Sequence, residues 1–148
     1  MKLRYVFVIT FISFNITFAY QLKQEKVIEY SKKHHYKNLI NKANELCMKN
    51  ELDKSLNLAQ KAYELKPDKD ALLIMARIYN YKKDFKNLKL TAKKILEISP
   101  KNYLGNIYLA NAYLKEDKAK SKEILCKLLK KYPEDETVLN KLKVLNEV

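Results

Sequence analysis

The chain has 148 residues, enough for one domain with a core, and only one glycine and three prolines. So few helix breakers in a Leu-, Lys-, Ala- and Glu-rich chain exclude a sheet protein and predict an all-helical one. Its 30 basic residues outnumber 17 acidic ones for a net charge of +13. Only Arg4 and Arg77 are arginines, so nucleic-acid readout, which leans on arginine forks, is not expected.

Residues 1–19 stand apart. Lys2 and Arg4 precede an apolar run from Tyr5 to Ala19, with a small residue at its end. That order is the order of a secretory signal peptide. The run is shorter than the roughly 20 residues needed to cross a bilayer. Cleavage after Ala19 and export are therefore expected, to the periplasm or the medium if the source is bacterial. An uncleaved N-terminal membrane anchor is the alternative. No cysteine follows the run, which argues against a bacterial lipid anchor. Residues 20–35 read as a lead or an extra helix.

From residue 36 the chain repeats. "KAYELKP" at 61–67, "KILEISP" at 94–100 and "KLLKKYP" at 127–133 end on the chain's three prolines, Pro67, Pro100 and Pro133. A period of 33 means stacked supersecondary units. In the middle unit Leu72, Met75, Ala76 and Tyr79 keep a W-x2-L-G-x2-Y spacing, and Leu88 and Ala92 keep A-x3-F. The first unit offers Leu39, Ala43, Leu46, Ser55, Ala59 and Ala62. The third offers Leu109, Ala110, Tyr113, Ser121, Leu125 and Leu128.

Three such units in tandem resemble the tetratricopeptide repeat (TPR) family. The resemblance covers about 36–133 and implies repeats at approximately 36–68, 69–102 and 103–135. Each would be a helical hairpin, A then B, in an all-α superhelical solenoid. The small residues at 43, 76 and 110 should admit a close A–B contact, with Tyr79 and Tyr113 beside them. Each proline should end a helix B, because proline cannot continue a helix and disfavours the α conformation before it. Asn50 suits a left-handed turn position. Asp53, Asp84 and Asp117 suit the starts of the B helices. In 134–148, Val138, Leu142 and Leu145 share one face, as a closing helix requires.

Chemistry is sparse. His34 and His35 are neighbours and so point about 100° apart on a helix, a poor ligand pair. There is no glycine-rich phosphate loop and no serine elbow. Neither an enzyme nor a cofactor or metal is expected. Cys47 and Cys126 fall in the first and third units, too far apart for an intramolecular disulfide. A bridge to another molecule through Cys126 is the sharper alternative.

The resemblance also implies a concave groove lined by the A helices, holding an extended peptide or a helix of a protein partner. Carried over by register, one row is Ile40, Leu73 and Ile107, and a second is Asn44, Arg77 and Asn111. The third is Cys47, Asn80 and Leu114, with Met48, Tyr81 and Lys115 beside it. The family subtype that clamps chaperone C-termini needs Lys and Asn in unit one, Asn in unit two, and Lys and Arg in unit three. Ile40, Asn44, Ile74, Leu104 and Tyr108 stand at those places, and only Asn44 fits. The expected function is a non-enzymatic, exported adaptor or scaffold. The alternative is a polyanion- or membrane-surface-binding protein that uses lysines on the convex B face: Lys54, Lys61, Lys86, Lys93, Lys94, Lys120 and Lys127.

Overall fold

The structure is a computed structural model that describes residues 2–146, with side chains from Thr17 onward. It divides into two compact units, Met1–Asn38 and Leu39–Val148, each described here by itself. In the first the backbone is helical and the side chains from Phe18 to His35 are exposed. Most of the expected signal segment, 1–19, lies outside the residues whose side chains are described. No described helix is long and apolar enough to cross a membrane.

Among the described residues seven helices follow one another: α1 (Lys2–Met48), α2 (Leu52–Leu65), α3 (Lys69–Tyr81), α4 (Phe85–Ile98), α5 (Tyr103–Tyr113), α6 (Lys118–Lys131) and α7 (Glu136–Asn146). The last ten residues of α1 belong to the second unit.

The helix ends follow from the sequence. Lys66, Ser99 and Tyr132, the residues before the three prolines, cap α2, α4 and α6 with φ of −149°, −143° and −131°. This is the extended backbone that a following proline imposes. Asp68, Asp84, Asn102 and Asp117 cap the next helices by accepting from the backbone N–H of Asp70, Asn87, Gly105 and Lys120. Asp135 accepts similarly from Val138 N–H at 3.1 Å. Asp53 lies inside the first turn of α2, where its charge suits the helix dipole; Glu51 holds the cap position. Asn50 takes a φ of 60°, the left-handed turn expected of it, and Lys83, 33 residues on, does so at 57°.

Among the described residues the core comes in three clusters, each built from one hairpin and the first helix of the next. Ala43, Cys47, Ala59, Ile74 and Ile78 join α1, α2 and α3. Leu72, Ala76, Leu88, Ala92, Ile95, Tyr108 and Ala112 join α3, α4 and α5. Ile107, Ala110, Leu125, Leu128 and Val138 join α5, α6 and α7. No hairpin closes its own core, which is why the units must stack. Leu142 and Leu145 pack beside Val138, so α7 serves the third hairpin as α3 and α5 serve those before them.

The small residues act as expected. Ala43, Ala76 and Ala110 are buried to 1% exposure or less. Where the first and third units carry serine on the facing helix, its hydroxyl donates to the small residue's carbonyl. Ser55 Oγ reaches Ala43 O at 2.6 Å and Ser121 Oγ reaches Ala110 O at 2.9 Å. Leu88 fills the same place in the middle unit and is fully buried. The lone glycine, Gly105, lies where α5 passes close to α4. A Cβ there would stand 2.8 Å from Ile95 Cγ2 and 3.0 Å from Leu96 Cδ2.

The backbones of α3 and α5 approach each other directly, whereas α2, α4 and α6 do not approach one another. At α3 and α5 the stack is therefore tighter on the side of the first helices, the side that the repeat resemblance makes concave. The second helices form the convex side.

Candidate functional site

The concave side is lined by α3, α5, α7 and the end of α1. Its first expected row is largely core. Ile107 is 6% exposed within the α5–α6–α7 cluster, because α7 covers it, so it does not line an open surface. Ile40 and Leu73 are half-buried against the core, and Cys47 is buried beside Ile78. Ile74, one of the positions compared with the chaperone-clamping subtype, is buried too.

The polar row is organised by contacts that were not read from the sequence. Asn111, 8% exposed, donates from Nδ2 to Asn80 Oδ1 at 3.0 Å. Its own Oδ1 accepts from Lys141 Nζ at 2.9 Å. A ladder of side chains thus crosses α3, α5 and α7. Arg77 begins a parallel contact one turn earlier on α3: its guanidinium lies beside the Tyr108 phenol. Burial pushes the Tyr108 hydroxyl up from its usual range, against the opposing pull of Arg77. Burial also holds the Lys141 ammonium below the usual lysine range. Asn44 is half-buried and joins neither contact among the described residues. Tyr81 is 58% exposed at the end of α3, and Leu114 is half-buried at the end of α5.

Tyr108 and Lys141 are the residues that repeat-register reasoning missed. The rows were drawn at the repeat spacing of 33 or 34. Contacts between successive first helices instead pair residues 31 apart (Arg77–Tyr108, Asn80–Asn111) or 30 apart (Asn111–Lys141). Neighbouring helices are offset by nearly a turn. One signal pointed to Lys141: Ile40, Leu73 and Ile107 continue at the same spacing to residue 141.

The convex side is rich in lysine. Lys54, Lys61, Lys86, Lys93, Lys94, Lys120 and Lys127 are all exposed. Lys54 and Lys127 pair with Glu51 and Glu123, while Lys94 and Lys120 lie over the Tyr63 and Tyr113 rings at 5.9 and 5.1 Å. Cys126 is half-buried on this helix, and both cysteines are free thiols. His34 stacks on Tyr30 with ring centroids 6.4 Å apart. Among the described residues no group of three His, Cys, Asp or Glu side chains is placed to hold a metal.

No protein-family model matches the chain, and no curated protein sequence matches it. Its structure is similar to a solved Arabidopsis OM64 TPR domain with a TM-score of 0.71 at 16% identity, over 76% of this chain and 94% of that one. At that identity the likeness establishes the architecture and nothing finer. Domains of this architecture generally serve as protein–protein interaction scaffolds. The chain has the fold of a tetratricopeptide-repeat domain, an all-helical solenoid of stacked hairpins.

Proposed function

We propose that this protein is an exported, non-enzymatic adaptor that holds an extended peptide or a helix of another protein along its concave face. The observation that carries this reading is the polar surface of α3, α5 and α7, where Arg77, Asn80, Asn111 and Lys141 converge on one face. Side-chain amides and cations suit the carbonyls and carboxylates of a bound chain. Tyr81 and Leu114 add apolar area at its margin.

Export rests on residues 1–19, whose order of charge, apolar run and small residue is that of a cleaved signal. N-terminal sequencing of the exported protein should begin at Tyr20; an intact Met1 on membrane-bound protein would show an anchor instead.

The test of the binding reading is affinity capture from the envelope fraction, followed by a salt titration with the purified partner. Groove binding should weaken only modestly with salt. A steep, log-linear loss would favour the second reading, a polyanion or anionic membrane surface held by the convex lysines.

A further inference from the structure

Seven lysines of the second unit meet a carboxylate: Lys42, Lys49, Lys54, Lys66, Lys82, Lys89 and Lys127. Lys141 is half-buried and meets only the neutral oxygen of Asn111 among the described residues. A shielded charge without a counter-charge is costly, and proteins ordinarily pair such groups. Arg77 is in a similar position, since its neighbour is the phenol of Tyr108. Between these two cations lies α5, whose sequence YLGNIYLANAY contains no charged residue. The concave face therefore presents two half-buried cations, one on α3 and one on α7, across a neutral amide surface, with Lys115 exposed at the end of α5 over the Phe85 ring. Asn80 keeps its Nδ2 unengaged among the described residues, as a donor between them. Beside Lys141, Leu114, Asn140 and Val144 line a shallow hollow.

We propose that the segment held in the groove carries two acidic side chains, one received by Arg77 and the other by Lys141. This rests on the groove-binding reading above. The spacing follows from the architecture: both cations reach over to α5, Arg77 to Tyr108 and Lys141 to Asn111, residues three apart on that helix. The two acids therefore stand at one fixed spacing along the bound segment, short enough for both to reach the same helix. The site is not the chaperone-clamping arrangement of the family, whose positions here hold Ile40, Ile74, Leu104 and Tyr108 in place of amides and cations.

The probe is a random dodecapeptide library displayed on phage and selected on the immobilised protein. Selected sequences should carry two Asp or Glu residues at one fixed spacing. Lys141→Met should erase the preference at one of the two positions and Arg77→Met at the other. Each should weaken a selected peptide about 10-fold or more, the scale of a charge-assisted hydrogen bond. Lys141→Arg should restore binding. Lys93→Met, which removes one convex charge, should change nothing, and melting curves establish that every variant folds. If acids are enriched without fixed spacing and Lys93→Met weakens binding as much as Lys141→Met, overall charge is responsible and the proposal falls. Selection of neutral peptides that still depend on Arg77 would overturn the acidic pair while leaving the groove reading intact. Peptides indifferent to both Arg77 and Lys141 would overturn both.

Discussion

At the scale of single residues, the backbone-limited positions give the most definite expectations. Gly105 has its α-carbon against Ile95, a fully buried β-branched side chain with little room to turn. Gly105→Ala should therefore destabilise the protein by about 1–2 kcal/mol, overpacking outweighing the gain in helix propensity. Chemical denaturation measures it, and a stabilised variant would show that α4 and α5 can part without cost. Lys83 presents the opposite case. It holds a left-handed backbone that costs a side-chain-bearing residue about 1 kcal/mol, and Asn50 shows the better solution one repeat earlier. Lys83→Asn should raise stability by a few tenths of a kcal/mol up to about 1.

Tyr103 gives a pH expectation at the same scale. Burial, with the Asp135 carboxylate beside it, pushes its phenol up to about 12 from a usual value of 10. The folded protein thus holds this proton more tightly than the unfolded chain does. The stability it contributes is complete below pH 10 and is lost as pH rises from 10 to 12. Tyr103→Phe should flatten that part of the alkaline denaturation curve, followed by circular dichroism. A curve of unchanged steepness would mean that another group governs it.

At the scale of elements, the helix–helix seam is the unit of stability. Ala76 is fully enclosed where α3 meets α4. Ala76→Leu should cost about 1–3 kcal/mol, and the loss should spread into neighbouring hairpins because each cluster is shared. Hydrogen exchange of α5 as well as α3 would record this; a thermal melt like the wild type's would refute the register. Ser121→Ala should cost about 1 kcal/mol by removing the buried bond to Ala110, with little effect on α3.

The elements were also the most legible part of the sequence, for a physical reason. Proline, small residues and capping side chains act on their own backbone or on a partner fixed by the repeat. Pro67, Pro100 and Pro133, and Ala43, Ala76 and Ala110, therefore fall where the pattern put them. The groove was less legible, because its contacts depend on how far successive helices slide past one another. That offset placed Arg77 beside Tyr108 and brought Lys141 to Asn111. Covering by α7 turned Ile107 from a groove position into core. Nothing in a single repeat encodes either outcome.

At the scale of the whole molecule, two surfaces compete as explanations of function. Charge is spread over the convex side by many exposed lysines, several of them satisfied by neighbouring glutamates or aromatic rings. The concave side has fewer charges, but they are ordered across three helices. Diffuse lysines favour salt-sensitive attraction, whereas fixed donors favour a particular partner. The central claim is that the concave donors hold the partner. Titration calorimetry of the captured partner against wild type, Arg77→Ala, and a Lys93→Met, Lys94→Met double variant tests it most directly. The account predicts that Arg77→Ala weakens binding roughly 10- to 150-fold with a nearly unchanged melting temperature, while the double variant binds like wild type. Unchanged affinity for Arg77→Ala together with a loss in the double variant would contradict it.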